Sequence, residues 1–393
     1  MKVLVVSEPG VDGVFRYVEM LCEFLARQGM GVHLAYSDRR GSDRLPKLVA
    51  AVEERGGRTL NLRTANRPSL ADIGAFWSLA RLVREVRPDV IHSHSSKAGF
   101  LARSLAFLRC GVAQVYHPHA YVGMRPTPGR FDRIYNLVES VLGRVSCTVV
   151  VSSGERQFAR ERLKIPPESI RLVRNGVDTT VFAPVSPEEK RRRRTELGLP
   201  ADLPLLGFLG RSSPQKDPLT LYRAFAQAAA DRPVGLFHVG KGELDGELEA
   251  LVRTDGLDAR VFRRSYMNTP ADFYAVVDGF ILTSRYEGFS LALLEALSAD
   301  LPLILSSAPG NEDLLAQPLS HCWPAAAGDV DGFARAIREW HDRLGDGFPC
   351  NHRGVAQAVY DSRHTCAAVA NLYRQLVRVE PEQDAAGVLG RAG

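Results

Sequence analysis

The chain has 393 residues, 45% of them hydrophobic and 24% charged, with a formal net charge of +5. That length suggests two or three domains with ample material for separate cores, and so modest a charge excludes a dedicated nucleic-acid binder while suiting anionic ligands or an anionic membrane surface. Six cysteines (Cys22, Cys110, Cys147, Cys322, Cys350, Cys366) form no C-x-x-C pair, which argues against a structural zinc site or disulfide framework and for a reducing cytoplasm.

The chain opens on a strand over 2–7 that runs straight into a loop. It has no apolar stretch long enough for a signal peptide, and no window approaches the roughly 20 apolar residues of a membrane span. The expectation is a cytoplasmic protein, or one peripheral on the cytoplasmic face of the membrane. Further strand-like runs follow at 31–36, 59–62, 90–93, 114–117 and 147–151, with amphipathic helices such as 15–28, 71–86 and 98–108 between them. The second half repeats the idiom with strands at 204–209, 235–239, 261–262, 279–282 and 303–305. This alternation predicts parallel sheets with crossover helices, and two Rossmann-like domains are the natural parse.

Between them, residues 175–184 read as a turn followed by an extended segment ending in proline, which marks the boundary. The expected domains are 1–180 and 181–360, then a helix over 361–378 packing back on the N-terminal domain, and a disordered tail over 379–393. The charge run from Lys190 to Arg194 follows Glu188 and Glu189 at helical spacing. It reads as a solvated helix with i,i+4 ion pairs rather than a binding patch.

Several constellations carry chemistry. The first strand ends in a loop with Gly10 and Gly13, a G-x-x-G where a dinucleotide fold would want G-x-G-x-x-G; backbone amides approaching a phosphate and a plain tight turn are both open readings. Asp38 could imitate the ribose-binding acid of a dehydrogenase, a poor reading without the full glycine motif. His92-Ser-His94 and His117-Pro-His119 have the wrong spacing for two metal ligands on one helix face, so His92 and His117 read as structural. His119, at a strand end, reads either as a polar cap or as a ligand contact.

Gly210 ends a strand, and Arg211 and Lys216 follow five residues apart before a helix. Arginine offers a planar fork to two phosphate oxygens and lysine a mobile point charge, both at the carboxyl end of a strand where open α/β sheets bind ligands. Two surface cations are the alternative. The run 276–284 reads as a buried strand, followed by a turn with Glu287 and an apolar helix containing Glu295. Complementing the helix dipole accounts for Glu287. It leaves Glu295 among leucines without a reason, and a carboxylate there needs partners such as a ribose diol.

These motifs resemble those of the retaining glycosyltransferases of family 4, over nearly the whole chain. Glu287-Gly-Phe-Ser to Leu-Leu-Glu295 is similar to the family's E-x7-E signature, Gly210-Arg211 to Lys216 to its G-R…K loop, and Arg174-Asn-Gly-Val-Asp178 to its interdomain segment. The stretch 88–99 and Val150 to Ser153 are familiar from the same family.

The resemblance implies a GT-B fold, α/β, with two Rossmann-like domains facing each other across a central cleft. It implies that Arg211 and Lys216 neutralise the diphosphate of a nucleotide-sugar donor, that Glu295 holds the ribose, and that Glu287 contacts the donor sugar beside Gly288, Phe289 and Ser290. Gly13 would approach the donor phosphate, His119 the sugar or acceptor, and Arg264 and Tyr266 the base. No metal or other cofactor is expected, since fixed cations stabilise the leaving diphosphate.

Two departures stand out: Val11-Asp12 where relatives often carry a glycine pair, and Ser307 to Asp313 in place of a G-G-x-x-E run. The implied function is transfer from a UDP- or GDP-sugar to a glycan or lipid-linked acceptor in surface-polysaccharide or lipopolysaccharide synthesis. A nucleotide-sugar epimerase or a non-catalytic nucleotide-sugar-binding partner of the same fold is the alternative. Two segments mixing apolar and cationic residues, 97–109 and 121–131, read as a peripheral contact with the inner membrane, the first also as a core-facing helix.

Overall fold

The computed structural model describes residues 1–8, 12–39, 41–42, 44–65, 69–108, 111–125, 129–267, 269–346 and 350–378. The tail expected over 379–393 lies outside the described residues, as do Gly10 and Arg109. The chain divides into two compact units. One comprises 1–117, 145–147 and 366–393, and the other 118–144 and 148–365.

Two parallel sheets organise these units. The first has seven strands in the order β3-β2-β1-β4-β5-β6-β7. These are β1 (Lys2–Ser7), β2 (Gly31–Tyr36), β3 (Thr59–Asn61), β4 (Val90–His94), β5 (Ala113–His117), β6 (Cys147–Val150) and β7 (Ile170–Leu172). Crossover helices link them: α1 (Asp12–Arg27), α2 (Leu45–Glu54), α3 (Ala71–Val86), α4 (Ser96–Ser104), α5 (Asp132–Leu142) and α6 (Ser153–Glu161). α3 shows why these residues are helical. Ala75, Leu79, Leu82, Val83 and Val86 recur at three- and four-residue spacing and are all buried, and Arg87 ends the helix in a left-handed conformation at φ 50°.

The second sheet has six strands in the order β10-β9-β8-β11-β12-β13: β8 (Leu205–Leu209), β9 (Gly235–Val239), β10 (Val261–Arg264), β11 (Gly279–Leu282), β12 (Leu303–Ser306) and β13 (Cys322–Ala325). Its helices are α7 (Pro187–Glu196), α8 (Pro218–Ala229), α9 (Asp245–Thr254), α10 (Pro270–Val276), α11 (Leu291–Ser298), α12 (Glu312–Leu315), α13 (Val330–Asp342) and α14 (His352–Val359), and α15 (Ser362–Arg378) follows, belonging to the first unit from Cys366 onward. The run read as one strand over 276–284 therefore begins at the end of α10, and only Gly279–Leu282 is strand.

Alternation along β8 sends Leu206 and Phe208 into a cluster with Leu221, Phe225 and Trp340, and Leu205 into another with Phe273, Phe280 and Leu293. Gly207 is part of this packing. A Cβ there would stand 2.7 Å from the Phe273 ring.

The charge run is only half solvated. Arg192 and Arg193 do pair with Glu189 along α7. Arg194 is buried, with its Nε donating to the Val276 carbonyl at 2.7 Å and its guanidinium meeting Asp278 at 2.5 Å. Lys190 reaches the same carboxylate at 2.9 Å. Burial alone would raise the Asp278 pKa, but these two cations hold it below the ordinary value.

Candidate functional site

In the second sheet the chain reverses direction at β8: β9 and β10 extend one way, and β11 returns on the other side. The carboxyl ends of β8 and β11 thus flank a topological switch point, the place where open α/β sheets bind ligands. The loops leaving these two strands are tied together. Lys216 donates to Glu287 Oε1 at 2.6 Å, and Ser284 Oγ donates to the same oxygen at 2.6 Å. The Arg285 amide donates to the Gln215 carbonyl at 2.8 Å, and Thr283 Oγ1 lies 3.0 Å from both the Lys216 and Asp217 carbonyls. Asp217 sits in the left-handed region at φ 48°, caps α8 through Thr220 and takes Arg285 at 3.0 Å.

Gly210 is held from behind. Its amide donates to the Val239 carbonyl at 3.0 Å, and Gly240 approaches so closely, at φ 145°, that a Cβ would lie 1.9 Å from the Gly210 oxygen. Arg211, next in the loop, is exposed.

The loop after β12 completes the group. This is the segment whose sequence departs from the family pattern, and it clasps Glu287 through its backbone. The Glu287 amide donates to the Pro309 carbonyl at 2.8 Å, while Gly310, at φ 97°, leaves only 2.3 Å between a Cβ position and the Glu287 oxygen. Ser306 Oγ donates to the Ser284 carbonyl at 2.6 Å, and Asn311 Nδ2 donates to the Ser306 carbonyl at 3.0 Å.

Glu295 lies within α11 and is buried, and the fold itself supplies a partner that sequence reasoning did not see. The Tyr274 hydroxyl, from α10, stands 2.7 Å from Glu295 Oε2 and 3.0 Å from the Ala292 carbonyl. Phe289 is a core residue, its ring 5.4 Å from that of Tyr360 and its carbonyl accepting from Asn175 Nδ2 at 2.9 Å. Ser290 is the buried N-cap of α11, and its hydroxyl does not cap the helix.

Gly288 packs against His119. A Cβ on Gly288 would stand 2.6 Å from the His119 carbonyl oxygen. The backbone there is strained, with His119 at φ 59° and Ala120 at φ 140°, conformations that cost non-glycine residues on the order of 1–3 kcal/mol. From the other side Glu155, fully buried, accepts from the Val151 amide at 2.7 Å and from the Ala120 amide. Burial raises the Glu155 carboxyl to about 8 and lowers the His119 imidazole to about 3. At neutral pH His119 is therefore an uncharged hydrogen-bonding group rather than a cation.

Lys216, Glu287, Gly288 and His119 thus share one neighbourhood. Arg264 and Tyr266 are not tied to it: Arg264 donates to the Leu197 carbonyl at 2.5 Å, Tyr266 is exposed, and among the described residues no hydrogen bond or ion pair joins either to Lys216 or Glu287. The neighbouring Arg263 is held by Asp245 at 2.6 Å. Gly13 lies in the other unit, inside the first turn of α1 rather than in the loop before it.

The cationic segments make contacts within the fold, the first in keeping with its core-facing reading. Lys97 is paired with Asp72 at 2.6 Å, Arg103 is buried 3.5 Å over the Tyr116 ring, and Arg125 is clasped by Asp132. What the sequence missed is α5, where Ile134, Leu137 and Val141 expose an apolar stripe at i, i+3, i+7, led by exposed Phe131. Also missed is a gathering of His92, His94 and His117. Spacing of i, i+2 fails on a helix but shares one face of a strand.

Two family models match the chain in order: Glycosyltransferase Family 4 over residues 11–181, and Glycosyl transferases group 1 over residues 203–343. The chain is 29% identical over 274 residues to the Escherichia coli UDP-Gal:alpha-D-GlcNAc-diphosphoundecaprenol alpha-1,3-galactosyltransferase, covering 68% of this chain and 70% of that one. It is 28% identical over 315 residues to a D-inositol 3-phosphate glycosyltransferase of Streptosporangium roseum, covering 73% and 69%. Among solved structures, Anabaena HepE in complex with UDP-glucose superposes with a TM-score of 0.79 at 19% identity, over 95% of this chain and all of that one. Sucrose-phosphate synthase from Thermosynechococcus elongatus gives 0.78 at 22%, over 97% and 100%. Those two likenesses concern the fold, two parallel Rossmann-like sheets of the GT-B type. With the two family models matched in order along the chain, the chain belongs to the family 4 glycosyltransferases.

Proposed function

We propose that the protein is a retaining transferase that moves a hexose from a UDP- or GDP-sugar to a lipid-linked glycan acceptor in the assembly of a surface polysaccharide or lipopolysaccharide. The observation that carries this reading is the Lys216–Glu287 pair at the β8/β11 switch point, with Arg211 in the same loop. An ammonium has three donors, so Lys216 can keep its bond to Glu287 and still donate to a phosphate oxygen. Both described bonds to Glu287 fall on Oε1, so Oε2 can accept from sugar hydroxyls. As the glycosidic bond breaks, charge develops on the leaving diphosphate. Lys216 and Arg211 then stabilise the transition state more than the ground state, and loss of one such donor costs on the order of 100-fold or more in turnover. Glu295, steadied by Tyr274, is the proposed ribose ligand, and neutral His119 a contact to the sugar or acceptor. The acceptor hydroxyl attacks from the leaving-group face and passes its proton to the departing phosphate oxygen.

The name of the Escherichia coli relative gives a UDP-hexose donor and an acceptor on a lipid diphosphate, which supports the same pairing here. The exposed stripe of α5, flanked by exposed Arg130, Arg133 and Arg144, supports a peripheral contact with an anionic bilayer. Thermal-shift measurements with UDP-galactose, UDP-glucose and GDP-mannose test the donor reading. At a concentration of 100 times Kd the donor adds about 2.7 kcal/mol of stability, and Glu295→Ala removes most of that gain while leaving the fold intact. If no nucleotide sugar raises the melting temperature, the reading is wrong.

A further inference from the structure

Three histidines outside the transfer site are gathered in the first sheet. His92 and His94 stand two apart on β4, so their rings leave the same face of the strand. β5 runs alongside in register, with His117 directly opposite His94. All three side chains are fully buried. Their ring centroids are 4.0 Å apart for His92 and His94, 5.6 Å for His94 and His117, and 5.9 Å for His92 and His117. One nitrogen of each lies within 4.8 Å of the others. Tyr17 of α1 packs on two of the rings, and the Tyr373 hydroxyl of α15 is 2.5 Å from His92 Nδ1.

We propose that His92, His94 and His117 form a site for one divalent first-row transition ion, with zinc as its natural occupant. An all-imidazole set suits zinc, copper and nickel and does not suit magnesium or calcium, which take oxygen ligands. With Zn–N bonds of about 2.0–2.1 Å, ligand nitrogens in a tetrahedral site stand roughly 3.3 Å apart. The histidines come within about 1.5 Å of that spacing, a gap that ring rotation can close while β4 and β5 keep their register. Tyr373 supplies the orienting contact that metal-bound histidines have: with Nδ1–H donated to its hydroxyl, His92 turns Nε2 to the ion. Tyr17 covers the histidine face and limits access of water. The ion ties β4, β5 and, through Tyr373, α15 together, a structural role within one unit.

The test uses the full-length protein, refolded with and without one equivalent of ZnCl2. Competition with a chromophoric chelator is expected to give one tightly bound zinc per chain, and X-ray absorption at the zinc edge a shell of nitrogen at about 2.0–2.1 Å with imidazole scattering. His94→Gln and His117→Gln are expected to weaken binding by more than the roughly 10–100-fold that loss of an outer partner costs, and Tyr373→Phe to fall within that range. Less than one equivalent bound by the wild type overturns the proposal. So does a sulfur shell, which would indicate cysteine ligands instead, or undiminished affinity in a folded His117→Gln protein. Should the variants fail to fold, the absorption spectrum of the wild type decides alone.

Discussion

Replacing Lys216 by methionine separates two roles that the structure superimposes on one side chain. Lys216 and Glu287 are 2.6 Å apart, with side chains only 16% and 7% exposed. Removing the cation strands a buried carboxylate, a change that costs about 3–5 kcal/mol when a pair is fully desolvated. Ser284 still donates to Glu287 Oε1, so the lower figure applies, about 3 kcal/mol. For a folding unit of 150–250 residues that corresponds to a fall in Tm of roughly 6–12 °C. Lys216→Met/Glu287→Gln removes both charges together and should recover most of the lost stability, read by thermal melts of the two proteins side by side. Turnover should not recover, because the diphosphate has then lost its lysine, and a deficit of about 100-fold should persist in the double variant. Recovery of both quantities would mean that Lys216 serves only to hold Glu287.

Three more outcomes follow from the geometry. Glu155 titrates near 8 in the folded chain against an ordinary 4.5, so the stability tied to its protonated form is complete below 4.5 and drains away as pH rises through 8. Denaturation midpoints of wild type and Glu155→Gln should therefore diverge between pH 5 and 9 in favour of the variant, and parallel curves would contradict the burial argument. Gly240→Ala places a methyl 1.9 Å from the Gly210 oxygen at a positive φ, so it should lower stability by more than about 1 kcal/mol and weaken donor binding by displacing the loop of Arg211. Ile134→Glu/Leu137→Glu should abolish co-sedimentation with anionic liposomes and leave the donor-induced thermal shift unchanged. Retention of lipid binding would clear α5 of that role.

The fold was legible wherever periodicity is set by burial. β1, β2, β9 and α3 have the bounds that their apolar patterns predict, because each is enclosed on the faces its sequence marks. β7 and β13 escaped, and both are edge strands. The first is three residues long, and the second carries Pro324, tolerated only where a ladder bond can be missing. In the site, strand ends and residue types pointed to Lys216 and Glu287, yet they are 71 residues apart and their bond is a product of the sheet order. The supports stayed invisible for the same reason: Tyr274 behind Glu295, Glu155 accepting from the Ala120 amide behind the His119 turn, and Arg194 drawn inward by Asp278 from a run that looks wholly solvated. Each is a contact between distant segments, and no local pattern encodes it.

The path of the chain through its two units bears on how the protein can be divided. The backbone passes from one unit to the other after His117, Arg144, Cys147 and Thr365, the last time within α15. No single cleavage point yields a fragment that lacks part of the chain and still contains the first unit whole, whereas a cut after His117 or after Thr365 leaves the second unit within one fragment. A product stopped before Cys366 would leave the first unit without Tyr373, and so without the hydroxyl that meets His92. Synthesis must therefore reach α15 before the first unit has these residues of its own chain. Begun before the second unit, it gains its last described helix only after the second is complete.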